Sequence, residues 1–422
     1  MNMRRQSSSY ASQSSLRGSA VRTRRGVLSL WGTFALAAML VIAAVSINRM
    51  WAMSMREDAQ RCTEAAALAA AHELLTDEIL KTNAFALEGG WREYRCRHAA
   101  VRMGQLYASR TRLPRLYSDN VELIPRSSRP SMRNSDWDQR VPAYVRVGYQ
   151  TDGTPRSFPL LMPGVTGVSS ALLDVSSSVE LNNHLVGFRS ANGVNIPMLP
   201  FVAEDRSSAD SSSWKSCIED GRGRDQFSWN QRGDVVESLE DGIPEIEFRL
   251  HVADNTEASS ANGRDEGCEL QCLQFSAGTS QQPGQAGASD AERIRRGLCE
   301  ADLHGQPGNL FQFPQSMTTT PVTAKSLTTM SRALADIEGQ ERILCLCEPA
   351  AETGADRNAG SSVQLVRPVA VRILSVRRKA KDDIRIVCQP CVLTTPTAIM
   401  QTDRPQPENR YIWSVRLCSN AM

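Results

Sequence analysis

One stretch constrains everything else this chain can fold into. Residues 26–47, GVLSLWGTFALAAMLVIAAVSI, carry no charged side chain. As a helix rising about 1.5 Å per residue the run is ~33 Å long, enough to cross a hydrocarbon core of ~30 Å. Trp31 and Trp51 lie toward its two ends, where indole rings favour the membrane interface. No Asp or Glu occurs before Glu57, while Arg4, Arg5, Arg17, Arg22, Arg24 and Arg25 all precede the run. Arginine-rich flanks stay in the cytoplasm, so the expected topology puts the N-terminus inside and the chain beyond Arg49 outside. A cleaved signal peptide is the competing reading. It expects a shorter apolar core, ~7–15 residues, and a small-x-small cleavage site. This run is longer, and charged helix-forming sequence follows it directly.

The flanking segments extend the pattern. Residues 1–25 are rich in Ser and Arg (RRQSSSYASQSS) and are expected to be a disordered cytoplasmic tail. A transmembrane helix over 26–48 then continues outward as a helical stalk over 49–111. Within it, residues 55–80 (MREDAQRCTEAAALAAAHELLTDEIL) contain neither Gly nor Pro and are dominated by Ala, a strong helix composition. The Ala stripe at 65–71, with Ala66 and Ala70 as its helix-packing face, permits close approach of another helix. Packing of that stripe on the chain's own exported portion is the equal alternative. Gly89-Gly90 breaks the pattern, and a second helix is expected over 92–110.

From residue 112 to 422 the character changes. Short alternating or apolar stretches such as VPAYVRVGY, IEFRLHV, ILCLC, PVAVRILSV and IRIVCQPCVL stand between Gly, Pro, Asn and Asp. That rhythm indicates strands. The expected class is α+β: a transmembrane helix, a helical stalk, then a mostly β exported domain with a few short helices. Two hairpins are expected, one turning at Asn182-Asn183 between SSVEL and HLVGF. The other joins VAVRILSV to IRIVCQPCVL through a loop at 377–383, where the short basic run is a solvated turn. Helices are expected over 290–303 and 326–339. Loop insertions are expected near 205–232 and 255–290, the latter as two pieces, 255–267 and 276–288.

The candidate chemistry is sparse. A net charge of +2 over 422 residues does not describe a nucleic-acid binder. There is no GxSxG, Walker loop or GxGxxG. His72, His98, His184, His251 and His304 are scattered. Asp174, Ser176 and Ser178 have DxSxS spacing, which on a loop presents a carboxylate and two hydroxyls to a hard cation. Here Val179-Glu180-Leu181 follows, so a strand with Ser on its wet face is the simpler reading. Cys388-Gln-Pro-Cys391 is a CxxC, but it lies in a strand rather than at a strand-to-helix junction, where a redox thiol needs a helix N-terminus. Cys345 with Cys347, and Cys268 with Cys272, could join it in a zinc site. Disulfides or buried small side chains fit the spacings better. Eleven cysteines leave at least one unpaired, and Cys62 in the stalk is the candidate. No cofactor and no small-molecule substrate is indicated.

Residues 24–51 (RRGVLSLWGTFALAAMLVIAAVSINRMW) and 56–74 (REDAQRCTEAAALAAAHEL) resemble the TadE/TadG-like family of Flp, or tight-adherence, pilus-assembly membrane proteins. The family pattern is an Arg-Arg-Gly start, an apolar helix, and an Ala-rich helix core that Thr63 to Ala71 match. Weaker likeness to a bacterial subfamily with a β-rich exported domain lies in 185–201, 241–248, 293–303, and VAVRILSV with IRIVCQPCVLTTPTAI. The resemblance implies a non-enzymatic, single-pass component of a Tad-type assembly or secretion system in the bacterial inner membrane. Its domain would be periplasmic, and its partners pilus-assembly proteins or a second copy. Gly26 fits the cleavage position of pseudopilin-type members. Their Glu five residues on is replaced by Trp31, which points to an unprocessed, TadG-like role.

Overall fold

A computed structural model describes residues 20–81, 89–125, 141–151, 154–190, 193–205, 213–230, 233–252, 267–275, 289–303, 309–348, 362–401 and 408–418. Helix α1 runs unbroken through Ala20–Leu74, 55 residues and ~82 Å of rise. Neither Gly32 nor the polar residues at 46–48 interrupt it. It begins six residues before the expected anchor, so 20–25 are helical. The remainder of the expected tail, 1–19, lies outside the described residues. This is the one helix, among the described residues, long and apolar enough to cross a membrane.

Helix α2 (Gly89–Arg110) returns alongside α1. Strands β1 (Val121–Ile124), β2 (Tyr144–Gly148), β3 (Gln150–Thr151) and β4 (Thr154–Pro159) follow, then one helical turn, α3 (Pro163–Thr166). Next come β5 (Ser170–Leu173), β6 (Ser176–Asn182), β7 (Leu185–Arg189), β8 (Met198–Glu204), β9 (Ser228–Asn230), β10 (Val235–Glu237), β11 (Ile246–His251) and β12 (Cys268–Leu273). Helix α4 (Asp290–Arg296), β13 (Leu310–Gln312), β14 (Gln315–Thr320), helix α5 (Ala324–Ala335) and β15 (Glu341–Glu348) come after them. The chain closes with β16 (Ser362–Ala380), β17 (Asp383–Pro390), β18 (Leu393–Thr394), β19 (Ala398–Met400) and β20 (Ile412–Cys418). The fold is α+β, a long apolar N-terminal helix followed by a strand-rich portion with a few short helices.

Two cores form. In the first, the second half of α1 lies on a sheet ordered β1-β2-β6-β20-β18, with α2 packed against α1. Its inner face alternates as expected: Val145, Val147, Ser177, Val179 and Leu181 are buried, because successive strand residues point to opposite faces. The last strand, β20, enters this sheet between β6 and β18. Everything between β6 and β18 is therefore an excursion that leaves the sheet and returns.

That excursion builds the second core. β16 pairs with β15, β15 with β8, β8 with β12, β12 with β11, β11 with β17, and β17 with β16 again. The ring closes, which removes the exposed edges an open sheet would carry. β14 bridges β12 and β16. Side chains such as Phe201, Phe248, Leu270, Ile343, Val371, Ile373 and Ile386 fill the core, and α4 and α5 pack outside.

Four expectations change. β6 and β7 do not pair: Asn182-Asn183 is a crossover from the first sheet to a small β13-β7-β19 sheet. Asn182 Oδ1 accepts from His184 N at 2.9 Å, so the local turn chemistry is real, but long-range pairing with β20 and β19 decides where each strand goes. The helix expected over 290–303 stops at Arg296. Gly297 has φ 79, and a Cβ there would run into the Ile196 carbonyl. The β16–β17 hairpin does form, but with a tight turn after Ala380, so 377–380 are strand. The expected 205–232 insertion is partly core, since Trp214 is fully buried against Tyr411, ring centroids 5.5 Å apart. Residues 206–212 and 231–232, and most of 255–290 including 255–266 and 276–288, lie outside the described residues.

Candidate functional site on the two-faced helix

Helix α1 changes environment along its length. From Leu30 to Ala43 its side chains are exposed, including Leu30, Trp31, Phe34, Leu36, Met39, Leu40 and Ile42. From Met55 onward one stripe is buried: Met55, Ala59, Cys62, Thr63, Ala66, Ala67, Ala70, Ala71 and Leu74. The three- and four-residue spacing keeps that stripe on one face. Glu57, Arg61 and Glu73 fall outside it, on the polar side.

Small residues set how closely the helices meet. Ala66, Ala67, Ala70 and Ala71 are all fully buried, in one core with Cys96 and Ala100 of α2 and the β6 face. Gly104 of α2 leaves room for Leu116, whose Cδ1 would be 2.5 Å from an added Cβ. Polar groups in the stripe are satisfied. Thr63 Oγ1 and Ser177 Oγ are 2.7 Å apart, and Gln60 Nε2 donates to Ser177 Oγ at 3.1 Å. Tyr149 donates to Cys62 Sγ at 3.3 Å. The Ala66 and Ala70 side chains thus pack on the chain's own sheet and second helix, the alternative the sequence left open.

Of the DxSxS residues, Ser176 and Ser178 are in a strand and Asp174 is in the link before it. Asp174 is exposed between β5 and β6, and Ser176 and Ser178 are half-buried on β6, opposite Gly148 and Arg146. Arg146 Nη2 donates to Ser176 Oγ at 3.4 Å, a cation where a metal site needs a further anion. Among the described residues no group of three or more His, Cys, Asp or Glu could hold a metal ion.

The cysteines are core residues. All eleven are free thiols, and Cys268, Cys272, Cys345, Cys347, Cys388 and Cys391 are buried. Cys388 sits in β17 opposite Ile246 and Ile373. Cys345 Sγ is 3.8 Å from Met198 Sδ. Burial pushes the thiols of Cys268, Cys272 and Cys347 up to about 12, and those of Cys345, Cys388 and Cys391 up as well. A redox thiol is shifted the other way. Within the CxxC it is Gln389 that makes directed contacts. Its Nε2 donates to Asp241 Oδ1 at 3.1 Å, Ile243 O at 3.2 Å and Phe227 O at 3.3 Å, pinning the loop before β11.

Sequence reasoning missed the residues that join the parts. Asn48 is buried and exchanges two hydrogen bonds with Met162. Arg372 is buried on β16 and reaches Asp77, just past α1. An Asn inside a helix and an Arg inside a strand carry no local signal of a distant partner. No protein-family model, no curated protein and no solved structure matches this chain.

Proposed function

We propose that this chain is a non-enzymatic, single-pass component of a Tad-type (Flp) pilus assembly or secretion system. In this reading α1 spans the bacterial inner membrane, with its Arg-rich end in the cytoplasm and the strand-rich portion in the periplasm. The observation that carries it is the division of α1. Its apolar half is bare and its second half is the spine of a folded layer, so motion or contact in the membrane is transmitted to the exported portion through one continuous rod. The resemblance of residues 24–74 to TadE/TadG-like proteins supplies the system.

Because Ala66 and Ala70 are occupied by the chain itself, partners in the membrane meet the exposed face at Leu36 and Leu40. Photo-crosslinking from Leu36 and Leu40 in native membranes, with mass spectrometry of the adducts, tests the reading. Capture of pilus-assembly proteins or of a second copy is the expected result. Unchanged pilus formation and adherence after deletion of the chain would overturn it.

A further inference from the structure

We propose that the tip of the β4–β5 hairpin, residues 160–169, is a second membrane contact that dips into the lipid interface beside α1. The inference rests on reading α1 as a membrane-spanning helix. Its starting point is composition. Between Arg156 and Asp174 the chain reads SFPLLMPGVTGVSSALL, without a charged residue. Phe158 and Leu173 at the base of this hairpin are buried in the first core, but apolar side chains at and beside its tip are exposed: Leu161 is 46% exposed, Val165 49%, Val168 52% and Leu172 59%. Clustered exposure of this kind marks a binding surface, whereas single exposed apolar residues do not.

Placement identifies what covers it. The chain descends along α1 toward the apolar run. Tyr149, just before the hairpin, meets Cys62. Pro159 O then accepts from Trp51 Nε1 at 3.3 Å. Met162 N donates to Asn48 Oδ1 at 3.0 Å, and Asn48 Nδ2 donates to Met162 O at 3.2 Å. Asn48 is the residue at which the apolar run ends. Within 30–48 the buried residues are Ala44 and Asn48, and α3 packs on α1. Ala44 lies one turn, about 6 Å, farther into the apolar run. The hairpin tip therefore reaches past the end of the run and covers a site within it.

The backbone of the tip is also prepared for a medium short of water. Pro159 and Pro163 have no N–H. Gly167 N donates to Pro163 O at 3.0 Å, and Leu160 N to Ser169 O at 3.1 Å. Irregular backbone at membrane depth requires such internal satisfaction. The surface is continuous with the bare apolar face of α1, so the bilayer that surrounds that face is the occupant. Trp51 at the same level is the residue type that prefers this interface.

The test places the photo-reactive residue p-benzoyl-phenylalanine at Val165 in the full-length chain. Matched chains carry it at Phe34, in the apolar half of α1 and exposed, and at Leu239, which is exposed beyond β10. Each is reconstituted in phosphatidylethanolamine/phosphatidylglycerol vesicles, irradiated, and weighed intact. The expected result is a mass shift of one phospholipid at Val165 and Phe34, and none at Leu239. An adduct at Phe34 without one at Val165 overturns the second contact and leaves the membrane-spanning reading standing. No adduct at either position overturns both. A protein adduct at Val165 in place of lipid also overturns the proposal, because it would make this face a protein interface.

Discussion

Arg372 Nη1 donates to Asp77 Oδ2 at 2.5 Å across 295 positions of sequence. Asp77 opens the turn that follows α1, and Arg372 is in the middle of β16, so this pair ties the helical layer to the barrel. Each partner is doubly engaged. Asp77 Oδ1 accepts from Val392 N at 2.7 Å, where the chain re-enters the first sheet. Arg372 also meets Glu341 at 2.5 Å and lies over the Trp229 ring at 5.1 Å. Burial works against the charged guanidinium, but the adjacent Asp77 and Glu341 carboxylates outweigh it and raise its pKa.

Removing Asp77 should separate the two cores in stability. Asp77→Ala leaves a buried guanidinium with one carboxylate and an unpaired Val392 amide, a loss of about 3 kcal/mol. Full-length protein in detergent should melt earlier, with the barrel and the helical layer unfolding in separate transitions. A single transition at an unchanged midpoint would show that the pair does not couple them.

Enlarging the Ala stripe should destabilise rather than free a surface. Ala66 and Ala70 are fully buried, so Ala66→Leu forces α1 away from the sheet and helix it packs on, at a cost of about 1–3 kcal/mol. The same change at exposed Ala43 should leave the melting midpoint where it is. Equal effects at both positions would contradict the packing described.

Stability should fall as pH rises from about 5 to about 7. Burial raises the carboxyl group of Glu245 to about 7, although Gln226 N and Phe227 N donate to it. Asp241 is raised by burial as well. A carboxyl raised in the folded state binds its proton there while the unfolded chain has released it. The folded state is therefore favoured at the acid end of this window and loses that advantage as pH climbs through the folded pKa. Asp302 is shifted down, because the Cys299 amide and Arg293 outweigh the effect of burial. Its contribution disappears only below the ordinary carboxylate range, outside this window. The expected change is on the order of 1–3 kcal/mol, read by denaturant titration at pH 5 and pH 8. Stability that rises over that interval would refute it.

Alkylation should sort the thiols by depth. Cys217, Cys299 and Cys418 are half-buried, whereas the other eight are buried. Iodoacetamide added to native protein should modify those three first, and mass spectrometry would locate the adducts. Rapid labelling of Cys388 or Cys391 would revive a reactive CxxC.

The sequence by itself determined what depends on neighbours a few residues apart. The uncharged run at 26–47 and the Ala-rich segment after it each specify helix, and because no Gly or Pro intervenes at the join they form one rod. Alternation in VPAYVRVGY and the short apolar run VAVRILSV specify strands, and the β16–β17 hairpin follows because its halves adjoin. Tertiary structure decided everything that depends on which distant surface a residue meets. Ala66 and Ala70 offer the same smooth face to any helix, and only the fold assigns that face to the chain's own sheet. Asn182-Asn183 is a good turn in either topology, and pairing with β20 and β19 selects the crossover. The CxxC spacing is local, but whether its sulfurs are wet and acidic or dry and inert depends on a barrel closed by strands up to a hundred and more residues apart. Asp77 and Arg372, or Asn48 and Met162, are unremarkable singly. Their partners are brought near only by the burial of both cores, and no short-range pattern encodes that.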